Sequence, residues 1–312
     1  MFADRLMEKI INCRNHTIVG LDPRIQYIPK HIADEAWEVV SEGSRSEKTA
    51  EAFFRFNKEI IDNVYDIVPA VKPQIAFYEQ YGAAGIECYL KTCSYAKSKG
   101  LLVIGDVKRG DIGSTAEAYS DFYLGNNEGS AETDCITINP YLGTDSMDPF
   151  VRNCEKHGKG IFVLVKTSNK SSKDIQDLES DGKKIYEHVA ELVVSLGESQ
   201  TGKYGYSSVG AVVGATFRNE GQKLRKMMKK VYFLVPGYGA QGGTAEDASV
   251  CFNDDGFGAV INSSRGIIAA YKMEGYKERF SEKEYGQAAR EAAIAMRNDI
   301  NNELARIGKL AW

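Results

Sequence analysis

Eight short apolar runs rich in β-branched residues recur along this chain: TIVGL (17–21), IVPAV (67–71), LLVIG (101–105), CITI (135–138), IFVLV (161–165), VGAVV (209–213), VYFLV (231–235) and GAVI (258–261). Apolar runs of this length, bounded by turn residues, read as buried strands. Most of the intervening segments are long enough for a helix, and EAFFRFNKEIIDNVYD and ECYLKTCSYAKSKG carry the helical period. Eight strand–helix units in succession predict an α/β fold, a closed parallel (β/α)8 barrel over residues 1–312 as one domain. An open doubly wound sheet shares the alternation but usually opens with a glycine-rich dinucleotide turn. No G-x-G-x-x-G follows the first run, which ends instead in LDPR.

Barrel enzymes draw their sites from the carboxyl ends of several strands. Here a chemically useful residue sits at the end of nearly every run: Lys72, Asp106, Asn139, Lys166, Pro236 and Asn262. Two connections exceed the usual length, 23–66 and 166–208. The first should add a helix and an exposed loop. The second begins with the polar stretch KTSNKSSKDIQDLESDGKK, which reads equally well as a lid or as a solvated loop. After Ala270 the Ala-rich EYGQAAREAAIAMRND predicts a helix against the barrel wall.

Composition excludes several classes. A net charge of −4 and a pI near 5.8 argue against nucleic acid as a partner, because backbone phosphates call for a basic surface. No apolar run approaches the roughly 20 residues of a membrane-spanning helix. Six cysteines without a C-x-x-C pair, and no histidine at ligand spacing, suggest neither a zinc site nor a disulfide framework. The opening MFADRLMEKIINCRN is charged and amphipathic, unlike a secretory signal, so a cytoplasmic protein is expected.

The strongest chemical signal is IGDVKRGDIGST (104–115). Strand side chains alternate, so Ile104, Asp106 and Lys108 share a face, with the apolar residue deep and the charges toward the mouth. Asp111 follows Gly110 and could cap or open the next helix. As a surface pair and a helix cap the motif would mean little. At the end of a buried strand its charges are costly unless they pair or act.

D-x-K-x-x-D-I in this position resembles the signature of the orotidine 5'-phosphate decarboxylase family, in its longer bacterial form. The resemblance runs in order from about residue 17 to 268. It implies that Lys72, Asp106, Lys108 and Asp111 form an alternating catalytic array, and that Asp22 of LDP binds the ribose hydroxyls. It implies further that Ser168 of VKTSN bonds the pyrimidine amide, and that Pro236, Gln241, Ser264 and Arg265 hold the phosphate end. Asp111, with Ile112 and Thr115 after it, would reach into the neighbour's site across a homodimer, although a helix-face threonine reads as well for Thr115. Where the family often has Gly before the phosphate-binding arginine, this chain has Ser264.

The implied reaction converts orotidine 5'-monophosphate to UMP without metal or cofactor. Lys108 would protonate C6, and Asp106 would either repel the departing carboxylate or position Lys108. Magnesium-dependent sugar-phosphate decarboxylases and synthases on the same scaffold share D-x-K-x-x-D but carry a Glu just ahead of the aspartate, where this chain has Ile104 and Gly105. A silent nucleotide-binding barrel is the remaining alternative, with no evident reason to cluster four charges.

Overall fold

In the computed structural model, which describes residues 1–239 and 242–312, eight parallel strands close into a barrel. They are β1 (Thr17–Leu21), β2 (Ala70–Pro73), β3 (Leu102–Arg109), β4 (Cys135–Ile138), β5 (Gly160–Lys166), β6 (Ser207–Val213), β7 (Val231–Val235) and β8 (Ala259–Ser263). Each strand pairs with its neighbours in sequence, and β8 closes on β1 through Thr17 opposite Ile261. All eight expected strands are present. Five strands differ at their ends from the apolar runs, and two of these shifts bear on the central charges: Pro69 has no N–H to give a ladder, so β2 begins after it and Lys72 lies within the strand. β3 runs on to Arg109, so Asp106 and Lys108 also belong to a strand.

Side-chain alternation divides the apolar residues into two cores. Ile18, Ala70, Leu102, Ile104, Cys135, Phe162, Val212, Leu234 and Val260 point inward and pack together in the barrel's lower half. Their neighbours, such as Val19, Val71, Val103, Ile136 and Ile161, point outward beneath the surrounding helices. The amphipathic helix Phe2–Cys13 plugs the lower end, its buried Phe2, Ala3, Leu6, Met7 and Ile10 joining the inner core. Phe2 meets Phe162 edge to face at 6.2 Å, and Gly160 leaves the space, since a Cβ there would lie 2.4 Å from the Phe2 ring. With the lower end closed, a ligand has only the carboxyl end of the strands to enter by.

The long first connection forms helices Lys30–Val39 and Arg45–Val64. The second helix starts at a capping box in which Ser44 and Glu47 satisfy one another's backbone N–H groups. Against it lies Tyr285–Arg306, whose Ala288, Ala289, Ala292 and Ala293 are buried, as the Ala-rich pattern requires for close approach. The connection after β5 carries a short helix, Lys173–Gln176, a two-stranded hairpin (Glu179–Ser180 with Lys183–Lys184) and the helix Ile185–Gly197. All six cysteines are free thiols, and no helix of the described residues is long and apolar enough to cross a membrane.

His16, just before β1, is buried between Phe252 (4.8 Å between centroids) and Trp312 (stacked at 5.0 Å). Burial lowers its pKa to about 3, so it stays neutral in the fold. An unfolded histidine takes a proton below about pH 6.5, hence this stabilisation is complete above that pH and is lost as pH falls toward 3. Between pH 7.5 and 5.5 the loss should be about 1.4 kcal/mol. Urea unfolding at the two pH values should show it in the parent chain, and His16→Asn should be less stable but lack this part of the pH dependence.

Candidate active site

The inward-facing series that builds the core continues upward as the lining of a cavity of about 630 Å³ at the carboxyl ends of the strands. Above Ile18 comes Gly20 and then Asp22; above Ala70, Lys72; above Ile104, Asp106 and Lys108; above Cys135, Thr137; above Val260, Asn262 and Ser264. Leu164, Val212 and Leu234 form the apolar floor where the two regions meet. The period of two therefore separates dry core from polar site along the same strand faces.

Three charges stand in a row on this lining. Lys72 Nζ donates to Asp106 Oδ2 at 2.7 Å, and Lys108 Nζ donates to Asp106 Oδ1 at 2.5 Å. Lys72 and Asp106 are buried, while Lys108 is half-exposed toward the cavity. Burial pushes the Asp106 carboxyl up, but the charges of Lys72 and Lys108 outweigh it and hold the group well below the usual carboxylate range. Burial likewise opposes the charge on Lys72, yet Asp106 and then Asp22 raise its pKa above the ordinary lysine value. Both groups are thus ionised at neutral pH.

Lys108 sits in the left-handed region, with φ of 47°. The β3–β4 register slips between Gly105 and Arg109, forming a bulge that re-aims the side chain. Thr137 replaces the lost ladder partner. Its Oγ1 accepts the N–H groups of Val107 (3.0 Å) and Lys108 (2.9 Å) and donates to Asp106 Oδ1 (3.0 Å). A left-handed non-glycine residue costs of order 1 to 2 kcal/mol, a strain tolerated where neighbouring bonds determine the conformation.

Asp22, Ser168, Pro236, Ser264 and Arg265 also line the cavity. Asp22 Oδ1 and Asn262 Oδ1 are buried without a hydrogen-bond partner, so each can accept from a ligand. Arg265 is exposed at the mouth and opens the short helix Arg265–Ile268. In the loop after β7, Gly237 (φ 101°) and Gly239 (φ 68°) take left-handed conformations. Gln241 lies outside the described residues.

Asp111 is not part of the lining: it stands on the outer rim, where its Oδ1 accepts the N–H of Ile112 at 2.8 Å. It does not cap the helix Gly113–Leu124, whose N-cap is Ile112 and has no side-chain cap. Ile112 and Thr115 are exposed. Two strand-end residues singled out in the sequence also fall outside. Asn139 Oδ1 accepts from Tyr141 N, and Lys166 turns away at a second register slip, between Leu164 and Lys166.

The model of the orotidine 5'-phosphate decarboxylase / HUMPS family matches residues 18–278, the same stretch that carries this barrel and its charge row. The chain belongs to that family. An orotidine 5'-phosphate decarboxylase of Rhodopirellula baltica is 47% identical over 96% of this chain and 98% of its own. One from Clostridium perfringens is 43% identical over 98% of this chain and 100% of its own. Among solved structures, the OMP decarboxylase of Leishmania donovani superposes with a TM-score of 0.71 at 29% identity, covering 97% of this chain and 98% of that one.

The departure at Ser264 from the glycine common in this decarboxylase family has a local explanation. A Cβ on Gly20 would lie 1.9 Å from Ser264 Oγ, so the serine fits beside β1 only because residue 20 has no side chain. Sequence reading missed Arg24, Tyr27, Thr137 and Asn169, all of which line the cavity. Thr137 was legible, because it continues the inward phase of CITI after Cys135. Arg24 and Tyr27 were not, since only the path of the loop after β1 brings them to the rim, with the Arg24 guanidinium over the Phe77 ring at 4.9 Å.

Thr137→Val leaves two backbone N–H groups without a partner and removes one of the two hydrogen bonds to Asp106 Oδ1, at about 1 to 3 kcal/mol for such unmet groups. Turnover should fall roughly tenfold to a hundredfold with a smaller change in KM, and Thr137→Ser should recover most of it.

Proposed function

We propose that this chain decarboxylates orotidine 5'-monophosphate to UMP and CO2, and that the Lys72–Asp106–Lys108 row is its reacting centre. The row is the observation that carries the reading. Loss of CO2 from C6 breaks the carbon–carbon bond and leaves its electron pair in an sp2 orbital that the ring π-system cannot delocalise. The reaction therefore needs positive potential at C6 and a proton for it. An ammonium supplies both, and Lys108, half-exposed and bonded to Asp106, would give its proton to C6 and regain one from water. Asp106, kept ionised by two lysines, would lie beside the substrate carboxylate.

Asp22, with its unpartnered buried oxygen, accepts from the ribose hydroxyls, and Ser168 meets the pyrimidine amide. Arg265 and Gln241 take the phosphate, flanked by Pro236 and Ser264, with the glycines after β7 letting backbone N–H groups approach. Phosphate binding far from C6 then serves catalysis by ordering the site. No metal is needed where lysines carry the charge. A magnesium-holding Glu at position 105 is disfavoured as well, since a Cβ there would lie 2.7 Å from Tyr89 Oη.

The fourth charge is supplied by a second copy. Asp111 lies outside the cavity lining, Ile112 and Thr115 are exposed, and Ile112 with Tyr141 and Leu142 puts exposed apolar side chains on the loops that leave β3 and β4. The β3 and β4 exit loops touch, with Asn139 N bonded to Arg109 O. A homodimer across this rim would bring each Asp111 to its neighbour's Lys108. As an enzyme of UMP synthesis, with residues 1–312 acting as one catalytic domain, the protein works in the cytoplasm.

Chelator-treated protein mixed with orotidine 5'-monophosphate should remove the orotate absorbance, and Lys108→Ala should abolish this while thermal unfolding stays cooperative. Turnover that persists in Lys108→Ala would deprive the lysine of its role. For the dimer, inactive Lys108→Ala and Asp111→Ala chains are mixed and allowed to exchange. Shared sites give each mixed dimer one site with both residues intact, so activity should return to roughly a quarter of the parent level by two-fold symmetry. No recovery would show that Asp111 serves its own chain, and an Asp111→Ala chain that is active alone would show that it serves neither site.

A further inference from the structure

Lys166 is the most deeply buried lysine or arginine among the described residues, and the chemistry above leaves it unused. The register slip at the end of β5 sends its side chain behind the cavity wall, where it is fully buried. There Nζ bonds Asp177 Oδ1 at 2.6 Å and lies 4.6 Å from the centroid of the Phe217 ring. Asp177 belongs to the polar insertion after β5. The adjacent Gln176 reaches back to the same strand end: its Oε1 accepts the Thr167 N–H at 3.0 Å, and its Nε2 donates to Thr167 Oγ1 at 2.8 Å. That hydroxyl donates onward to Asn169 Oδ1 at 2.7 Å.

From the other side Thr216 Oγ1 donates to the carbonyl of Ser168 at 3.2 Å. Residues 167 to 169, which line the cavity, are thereby suspended between the insertion and the loop after β6. Past the end of a strand no ladder fixes a backbone, and a side-chain amide that both accepts and donates is a substitute for one. The ion pair beneath anchors the insertion, because a buried ammonium deprived of its carboxylate is strongly disfavoured. The insertion is thus neither a free lid nor a merely solvated loop at this point.

We propose that Gln176, backed by the Lys166–Asp177 pair, is a positioning residue for the pyrimidine ring. It acts through the Thr167–Ser168 segment and touches no reacting atom. This rests on the reading of the cavity as an orotidine 5'-monophosphate site with Ser168 at the base.

The test compares UMP, which has the base, with ribose 5-phosphate, which lacks it, as competitive inhibitors of the purified full chain. Gln176→Ala should weaken UMP about tenfold, the order expected for lost orienting hydrogen bonds, and leave ribose 5-phosphate unchanged. In a Ser168→Ala background the same substitution should have little further effect, since both changes act on one contact. Gln176→Glu keeps the acceptor for Thr167 N–H and should recover part of the loss. The proposal is overturned by an unchanged UMP affinity, by equal weakening of both ligands, or by full additivity with Ser168→Ala. A parent chain that neither binds UMP nor decarboxylates the substrate would instead bring down the functional reading itself.

Discussion

A carboxylate held between two ammonium groups at the end of a buried strand is the arrangement on which the rest of this site depends. Burial works against the ionised form of Asp106, which Lys72 and Lys108 favour, and burial works against the charge on Lys72, which Asp106 and then Asp22 favour. Removing Asp106 would leave the buried Lys72 ammonium without its hydrogen-bonded carboxylate, and removing either lysine would leave Asp106 with one ammonium partner instead of two. The row is consequently both an energetic liability and a preorganised electrostatic field, the combination that a charge-separating decarboxylation uses. Geometry is what makes it tolerable. The bulge in β3 and the Thr137 hydroxyl place Lys108 on one Asp106 oxygen while Lys72 occupies the other.

The barrel serves this row by dividing labour along its axis. Below Leu164, Val212 and Leu234 the inward side chains are apolar, and the N-terminal helix seals the end, which supplies burial and rigidity. Above that layer the same faces turn polar and open into the cavity. A charged group one turn of alternation lower would have no solvent and no partner. One placed higher would lose the low-dielectric surroundings that strengthen its effect. The rim then adds what strands alone cannot reach: Arg265 beside a serine that fits against Gly20, and the segment at Ser168 held from outside by Gln176.

Much of the fold was legible because its signal is local. Eight apolar runs with helical spacers, and no dinucleotide turn after the first, point to a closed parallel barrel, and the alternation of Ile104 and Asp106 put that carboxylate inward, whereas Lys108 reaches the cavity through the bulge in β3. What misled were the positions where alternation breaks. Lys166 follows a strand like Lys72 does, yet a slip of register turns it to Asp177, and a bulge of this kind leaves no mark in the residue pattern. Asn139 failed for a related reason, since the β4 exit bends so that its side chain accepts from Tyr141.

By itself the sequence determined which residues could carry charge, where the strands lie and which faces are apolar, because these follow from side-chain chemistry and a period of two. It also determined the family, through motifs spread in order over the strand ends. Only the tertiary structure decided which of the four charges meet. Lys72 and Asp106 are 34 residues apart and touch only because β2 and β3 pair within a closed barrel. Asp111, three residues from Lys108, stands outside the cavity because the chain leaves the strand at Gly110. Nearness in sequence sets what a backbone can reach, but contact between charges is set by the closure of the sheet and the direction each strand leaves it.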